Sequence, residues 1–481
     1  MNRSMIIYVL GTVLKLTGIF LFIPVICSLI YHEQEGLPFF VTGLCSVGLG
    51  TLATLHKPEN TVFFLREGCI ATALSWILLS IVGAVPFFLT GEIPSFLDAL
   101  FETVSGFTTT GASILPDVEA MSKTALLWRS FTHWIGGMGV LVFLLAIIPM
   151  TGGGTINLMR AESPGPSVGK LVPKIRYTAR ILYGIYMVLT VSMLIILIIS
   201  GMPVFDSICT SLGTAGTGGF GVKSDSVASY SGILQWIVTI FMILFGINFN
   251  GYYLLLQKEW KKALSMEEIR AYLLIIVSAT AIITVNVADR FSSIGDALTA
   301  AAFQVGSIIT TTGFSTVDFD KWPDLSRGIL VLLMFIGACA GSTGGGIKVS
   351  RILFLFKNTR HQIFAYLHPK SVRPIKMDGH TSDNETIMGI QSFFAAYLLI
   401  FVCSIFPLLA CGSDLITSFT AVAATINNIG PGLGAVGPMN NFADLNCISK
   451  IVLIFDMLAG RLELFPLLVL FSPAIWNEFK K

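Results

Sequence analysis

Four short stretches rich in threonine, glycine and asparagine carry most of the oxygen chemistry of this chain. They read Thr108-Thr-Thr-Gly-Ala-Ser113, Thr214-Ala-Gly-Thr-Gly-Gly-Phe220, Thr310-Thr-Thr-Gly-Phe-Ser315 and Thr425-Ile-Asn-Asn-Ile-Gly-Pro-Gly432. Glycine permits backbone conformations that other residues resist, which lets successive carbonyl oxygens point to one side of a turn. Rings of such carbonyls can replace the hydration shell of a potassium ion. The pivotal glycines are Gly111, Gly219, Gly313 and Gly430. The residues before them supply the ring oxygens: Thr109 and Thr110, Thr217 and Gly218, Thr311 and Thr312, Asn428 and Ile429. No carboxylate lies inside the turns. A ring of Asp or Glu would suit a divalent cation, and Arg or Lys an anion. A neutral oxygen lining points to a weakly hydrated monovalent cation.

The elements that must position these turns repeat as well. Each turn follows an Asp and an apolar stretch, at Asp98-Ala-Leu-Phe, Asp206-Ser-Ile-Cys, Asp296-Ala-Leu-Thr and Asp414-Leu-Ile-Thr. Phe101 and Phe303 each stand ten residues before a pivotal glycine. An apolar stretch of roughly 10–13 residues is too short to cross a bilayer. It is expected to form a re-entrant helix, with its Asp as N-cap or at the positive end of the helix dipole. Non-helical backbone at membrane depth survives only when buried in protein or lining a watery cavity. The alternative is four turns that merely pack small residues between helices. Their recurrence at matched positions favours convergence on one axis.

The chain has 481 residues, of which 54% are hydrophobic and only 12% charged, half the usual charge of a soluble domain. Lipid must therefore be its main solvent, and neither composition nor a net charge of +2 suggests nucleic acid. A spanning helix needs about 20 apolar residues. Ten such runs are expected at roughly 5–30, 37–55, 69–91, 125–150, 179–200, 232–256, 270–288, 326–356, 387–411 and 449–475. Every second loop is basic: Lys57 and Arg66; Arg160, Lys170, Lys174, Arg176 and Arg180; Lys258, Lys261, Lys262 and Arg270; Lys357, Arg360, Lys370, Arg373 and Lys376. With Arg3 at the start and Lys480 and Lys481 at the end, the positive-inside bias places both termini in the cytoplasm. The fold expected is an all-α polytopic membrane protein. It divides into a two-helix extension (1–66) and four pseudo-symmetric units of helix, re-entrant helix, turn and helix (67–160, 161–262, 263–378 and 379–481) around one pore. The eight cysteines show no CxxC spacing and are expected as small buried hydrophobes.

In the four turns the chain resembles the superfamily of Trk, Ktr and HKT potassium transporters. So do His133-Trp-Ile-Gly-Gly-Met-Gly139, Gly341-Ser-Thr-Gly-Gly-Gly-Ile-Lys348 and Gly460-Arg-Leu-Glu-Leu-Phe465, and the likeness covers nearly the whole chain. The two leading spans favour the bacterial TrkH branch. Glycine at all four pivotal positions resembles the potassium-selective members, whereas many sodium-transporting relatives carry serine at the first. The second turn lacks Thr before its glycine and the fourth reads Asn-Ile-Gly-Pro, so the four walls are chemically unequal. The resemblance implies potassium uptake at an inner membrane and no enzyme activity. It also implies a homodimer with one pore per subunit and a cytosolic TrkA-type partner whose domains bind a nucleotide. Channel-like flux and symport with protons or sodium both remain compatible with it, and a sodium-transporting or weakly selective member is the nearest alternative.

The resemblance places Gly341, Ser342, Thr343, Gly344, Gly345 and Gly346 across the ion path below the turns, as a gate. Three consecutive glycines weaken a helix by roughly 1 kcal/mol each, so span eight is expected to open into a loop there. Arg461 sits midway along the last span, where a charge costs at least about 2.5–3.5 kcal/mol. It needs partners, and loop carbonyls or Asp456 would serve. Lys348 either joins the gate or marks the cytoplasmic end of its span. His133 has no nearby His or Cys and reads as a packed or hydrogen-bonded residue. Glu102 either attracts cations or braces its turn from behind, and Lys15 lines a helix interface or snorkels. No nucleophile–base pair or metal cluster has the spacing an intramembrane enzyme needs.

Overall fold

The computed structural model describes residues 2–58, 64–139, 175–369, 374–382 and 384–473. Arg160, Lys170, Lys174, Lys370, Arg373, Lys480 and Lys481 lie outside these, as do 140–150 of the expected fourth span and the last two residues of the tenth. In chain order the helices are α1 (Arg3–Phe20), α2 (Phe22–Tyr31), α3 (Gly36–Thr54), α4 (Leu65–Thr90), α5 (Phe96–Phe107), α6 (Lys123–Met138), α7 (Ile175–Ile199), α8 (Val204–Gly216), α9 (Gly232–Phe245) and α10 (Phe249–Leu256). They continue with α11 (Trp260–Ser265), α12 (Glu267–Val287), α13 (Ile294–Ile309), α14 (Asp324–Ile336), α15 (Val349–Leu367), α16 (Asn384–Ala410), α17 (Leu415–Ile426), α18 (Cys447–Arg461) and α19 (Phe465–Val469).

Among the described residues, six helical segments are long and apolar enough to cross a membrane. They are Arg3–Tyr31, Gly36–Thr54, Leu65–Thr90, Ala179–Ile199, Glu267–Arg290 and Asn384–Ala410. These are the first, second, third, fifth, seventh and ninth of the ten expected spans. The sixth, eighth and tenth expected spans are broken, and the fourth is described only as far as Gly139. α9 and α10 meet at a bend of 87°. α14 and α15 are separated by an irregular stretch from Gly337 to Lys348. α18 stops at Arg461, and Glu463 and Leu464 then take left-handed φ of 53° and 69°. α6 ends at Gly139, with φ of 79°.

Three further departures have local causes. The expected all-α fold includes one two-stranded hairpin, Lys376–Met377 against His380–Thr381. α13 runs 16 residues, longer than the 10–13 expected, because about one extra apolar turn separates its Asp from its glycine turn. Of the cysteines, Cys27, Cys209 and Cys339 are buried, but Cys45, Cys403 and Cys447 are exposed on the outer faces of their helices.

The core is apolar and centred on the short helices. Phe101, Phe303, Ala421 and Val422 are fully buried, while Leu29, Leu44, Val285 and Leu399 face outward, so interior and exterior are both apolar, as lipid permits. α1 packs closely on α3: a side chain at Gly18 would lie 2.7 Å from the Gly43 carbonyl oxygen. This is the small-residue packing of membrane helices. Glu33 fixes the N-terminal hairpin to the rest, because its carboxylate accepts from the amides of Lys123 and Thr124, each at 2.9 Å, capping α6.

Candidate functional site

Each turn begins where a short helix ends. Asp414 caps α17, accepting from the amides of Ile416 and Thr417 at 3.1 Å. In α5 and α13 the cap is instead a serine. Ser95 accepts from the Asp98 amide and Ser293 from the Asp296 amide, and the two aspartates sit in the first turn, near the positive dipole end. Asp206 likewise lies in the first turn of α8, behind Pro203.

All four helices end in the same way. The amides of Thr110, Gly218, Thr312 and Ile429 donate back to the carbonyls of Ser105, Gly213, Ser307 and Ala424, at 2.8–2.9 Å. One residue earlier, the amides of Thr109, Thr217, Thr311 and Asn428 donate to Gly106, Thr214, Ile308 and Thr425, at 3.0–3.1 Å. The turn's N–H groups are thus used inward on the helix end, as in a Schellman cap. Left-handed backbone then occurs twice per turn. Thr109, Thr217, Thr311 and Asn428 have φ of 54–58°, and Gly111, Gly219, Gly313 and Gly430 have φ of 77–102°. A β-branched residue in this region is a genuine outlier, costing of order 1–3 kcal/mol, and three threonines adopt it.

The turns abut in sequence. A Cβ added at Gly111 would collide with the Gly218 carbonyl oxygen, one at Gly219 with that of Thr312, and one at Gly313 with that of Ile429. At Gly430 it would lie 2.8 Å from the Thr110 oxygen, so the cycle closes. The segments that follow the turns are stitched in the same order. Ser224 Oγ donates to Asp117 at 3.1 Å, the Ser315 amide to Ser226 Oγ at 3.2 Å, the Gly434 amide to Asp320 at 3.2 Å, and the Phe442 amide to the Ser113 carbonyl at 2.8 Å.

Side chains brace the turns from behind. His133 Nδ1 lies 2.8 Å from the Gly106 carbonyl, and the Phe220 amide donates to its Nε2 at 3.3 Å. These partners assign a neutral ring with its proton on Nδ1, and they leave neither nitrogen for a metal. Glu102 braces its turn too: it accepts from the Ser113 hydroxyl and the Ile114 amide, and pairs with Arg129 at 2.8 Å, both side chains buried. Arg129 also donates to the Gly221 carbonyl and lies 4.0 Å from the Phe220 ring centroid, so one ion pair supports the first and second turns. Asn428 Nδ2 donates to Thr110 Oγ1 at 3.0 Å and to the Met457 carbonyl at 2.9 Å.

Beneath the third and fourth turns lies the irregular stretch between α14 and α15. It begins at Gly337, four residues earlier than the glycine pattern alone marks. The Gly345 amide donates to Thr311 Oγ1 at 2.6 Å, and a Cβ at Gly345 would press on the Asn427 carbonyl oxygen at 2.6 Å. Ser342 Oγ donates to the Cys339 carbonyl, and Thr343 Oγ1 to that of Phe245. The Phe249 amide donates to Gly341 O, and the Cys339 amide to Gly246 O, which ties the loop to the bend between α9 and α10. Arg461 donates to the Thr343 carbonyl at 3.0 Å, to Thr109 Oγ1 at 3.3 Å, and to the carbonyls of Gly136 and Gly137. Asp456 is not its partner. That carboxylate accepts from Ser404 at 2.7 Å, on another face of α18. Lys348 is buried and donates to the Gly344 carbonyl.

Residues 38–478 match the family model TrkH, described as a cation transport protein. The chain belongs to the TrkH family. It is 37% identical over 488 residues to a Trk system potassium uptake protein TrkH of Salmonella typhimurium, covering 99% of this chain and all of that one. It is 34% identical over 492 residues to the Trk system potassium uptake protein TrkG of Escherichia coli, with the same coverage. The crystal structure of the potassium transporter TrkH from Vibrio parahaemolyticus superimposes with a TM-score of 0.89 at 33% identity, over 99% of this chain and all of that one. This TrkH-family chain is a multi-pass membrane protein of a family named for transport rather than catalysis.

The TrkH-family structure also brings in residues that the sequence pattern does not single out. Arg129 is a charge inside an apolar span, the same signal that marks Arg461. Glu268, at the start of α12, is buried and accepts from the Ala340 amide at 2.6 Å and from Asn248 Nδ2 at 3.1 Å, pinning the loop's outer side. Arg351 pairs with Glu463, joining the start of α15 to the break after α18. These last two look like ordinary charges near span ends and gave no signal. Lys15 lies against the Gly50 backbone of α3, at the helix interface.

Proposed function

We propose that this chain takes up potassium ions across a bacterial inner membrane, passing them dehydrated through the ring of four turns. The observation that carries the reading is the closed cycle of turns with one backbone pattern in all four. Two amides of each turn are consumed on the helix end, which leaves carbonyl and hydroxyl oxygens as the groups that can meet a cation. On this reading Thr109, Thr110, Gly111, Thr217, Gly218, Gly219, Thr311, Thr312, Gly313, Asn428, Ile429 and Gly430 form the filter. α5, α8, α13 and α17 point their C-terminal ends at it, each with up to about half a negative charge, which favours a cation in a low-dielectric centre. The units 67–160, 161–262, 263–378 and 379–481 each supply one wall, and 1–66 packs outside them. Relatives named for potassium uptake and potassium transport support the choice of ion.

The loop from Gly341 to Gly346, held by Lys348 and Arg461, is the gate of this reading. A cytosolic TrkA-type ring that binds nucleotide releases it, and the protein works as a homodimer with both termini in the cytoplasm. The test is flux of potassium, sodium and rubidium into liposomes, with and without Gly313→Ser. Potassium preference in the parent and its loss in the variant are expected. A preference unchanged by the serine would move selectivity elsewhere, and equal sodium and potassium flux in the parent would favour a weakly selective transporter. For the gate, Arg461→Ala or deletion of Gly341–Gly346 is expected to raise flux. Unchanged flux from well-folded variants would remove the gate from this loop.

A further inference from the structure

The left-handed residues two positions before the pivotal glycines form the inner rim of the ring, and their side chains have unlike partners. Thr217 Oγ1 donates to its own Gly216 carbonyl at 2.6 Å. Asn428 Nδ2 is held by Thr110 and Met457. The other two hydroxyls turn to the loop assembly. Thr311 Oγ1 accepts from the Gly345 amide at 2.6 Å, and Thr109 Oγ1 accepts from the Arg461 guanidinium at 3.3 Å. Thr109 and Thr311 are both fully buried. A hydroxyl oxygen has two lone pairs. Each here spends one on a donor, and one of those donors carries a full positive charge. A cation cannot approach the same oxygen from the same side without meeting that donor.

We infer that Thr109 and Thr311 are oxygen ligands of an inner site for a dehydrated monovalent cation, and that this site assembles only when the loop and Arg461 withdraw. The inference rests on the reading of the ring as a filter. It makes gate opening and loading of the inner site one event, because the cation and the gate compete for the same two oxygens. Linkage then runs both ways: releasing the gate tightens cation binding, and a bound cation biases the gate towards opening. Thr109 and Thr311 occupy diagonally related walls, so the gate holds the rim at two opposed points.

The test is equilibrium binding of rubidium to the purified full-length protein, in a buffer free of other alkali ions. Four forms are compared: wild type, Arg461→Ala, Arg461→Ala with Thr311→Val, and Arg461→Ala with Thr311→Ser. Releasing one or two hydrogen bonds predicts roughly five- to tenfold tighter binding in Arg461→Ala than in wild type. Thr311→Val, which keeps the shape but removes the oxygen, is expected to abolish that gain. Thr311→Ser is expected to keep it. Deleting Gly341–Gly346 keeps the Arg461 side chain but removes the donor to Thr311, together with the Thr343 carbonyl that Arg461 holds, and is expected to give a gain of its own. Equal affinity in wild type and both gate variants overturns the inference, as does a gain that survives Thr311→Val. These outcomes are separable from failure of the filter reading, which Gly313→Ser flux tests: an intact potassium preference lost in that variant, with affinity indifferent to the gate, would remove the inner site alone.

Discussion

The first and third turns and the second and fourth reach one backbone by different routes. In the first and third, three threonines brace themselves. Thr108 and Thr110 hydroxyls lie 2.8 Å apart, and Thr310 and Thr312 hydroxyls 2.7 Å apart. The second turn has no such pair and leans on the His133 ring. The fourth leans on Tyr397, whose hydroxyl bonds the Asn427 side chain at 2.9–3.1 Å. The lesson is that the carbonyl pattern is the common requirement, while its support can be built in or brought from a neighbouring helix.

The largest effect expected is from Arg129→Ala, because the Glu102–Arg129 pair supports a self-braced turn and a borrowed one together. Leaving Glu102 buried and unpaired should cost about 3–5 kcal/mol, read as a fall in the thermal unfolding midpoint. A surface-like effect would mean that the two kinds of wall are held separately. Next come Gly219→Ala and Gly313→Ala. A Cβ in left-handed backbone, pressed on the neighbouring carbonyl, should cost roughly 2–5 kcal/mol. Potassium-over-sodium preference in liposome flux should fall at least about thirtyfold in both. An effect at Gly313 alone would break the equivalence of the walls. His133→Ala orphans the Phe220 amide and takes one of two donors from the Gly106 carbonyl, and should cost about 1–3 kcal/mol, whereas His133→Gln should recover part of it. Thr312→Val removes half of one hydroxyl pair and should cost about 0.5–1.5 kcal/mol. A Thr312→Val loss as large as that of His133→Ala would show that self-bracing counts for more than the backbone it sustains.

The pivotal glycines are legible because each closes a turn of small polar residues that follows a short apolar stretch, even at Asn428-Ile-Gly430, where no threonine directly precedes the glycine. The unbroken spans are legible from apolar length alone. The bend between α9 and α10 is not: residues 232–256 read as one apolar run, and the break at Gly246 is sustained by bonds from Cys339 and to Gly341, about ninety residues away in the chain. Asp456 looked a natural partner for Arg461, but five residues along a helix lie on different faces, so the arginine reaches the loop while the aspartate turns to α16. Which hydroxyls of the rim meet the loop is likewise set by tertiary approach and leaves no trace in local pattern.

The ring of turns comes from one polypeptide. In an assembly of identical subunits any substitution would be copied into every quadrant at once. Here it alters a single quadrant, so Asn428 can stand where its counterparts are threonines and each wall can drift by itself. With the ring as the proposed filter, ion preference would be open to adjustment in quarter steps, with three unchanged walls to hold the opening while the fourth is tried.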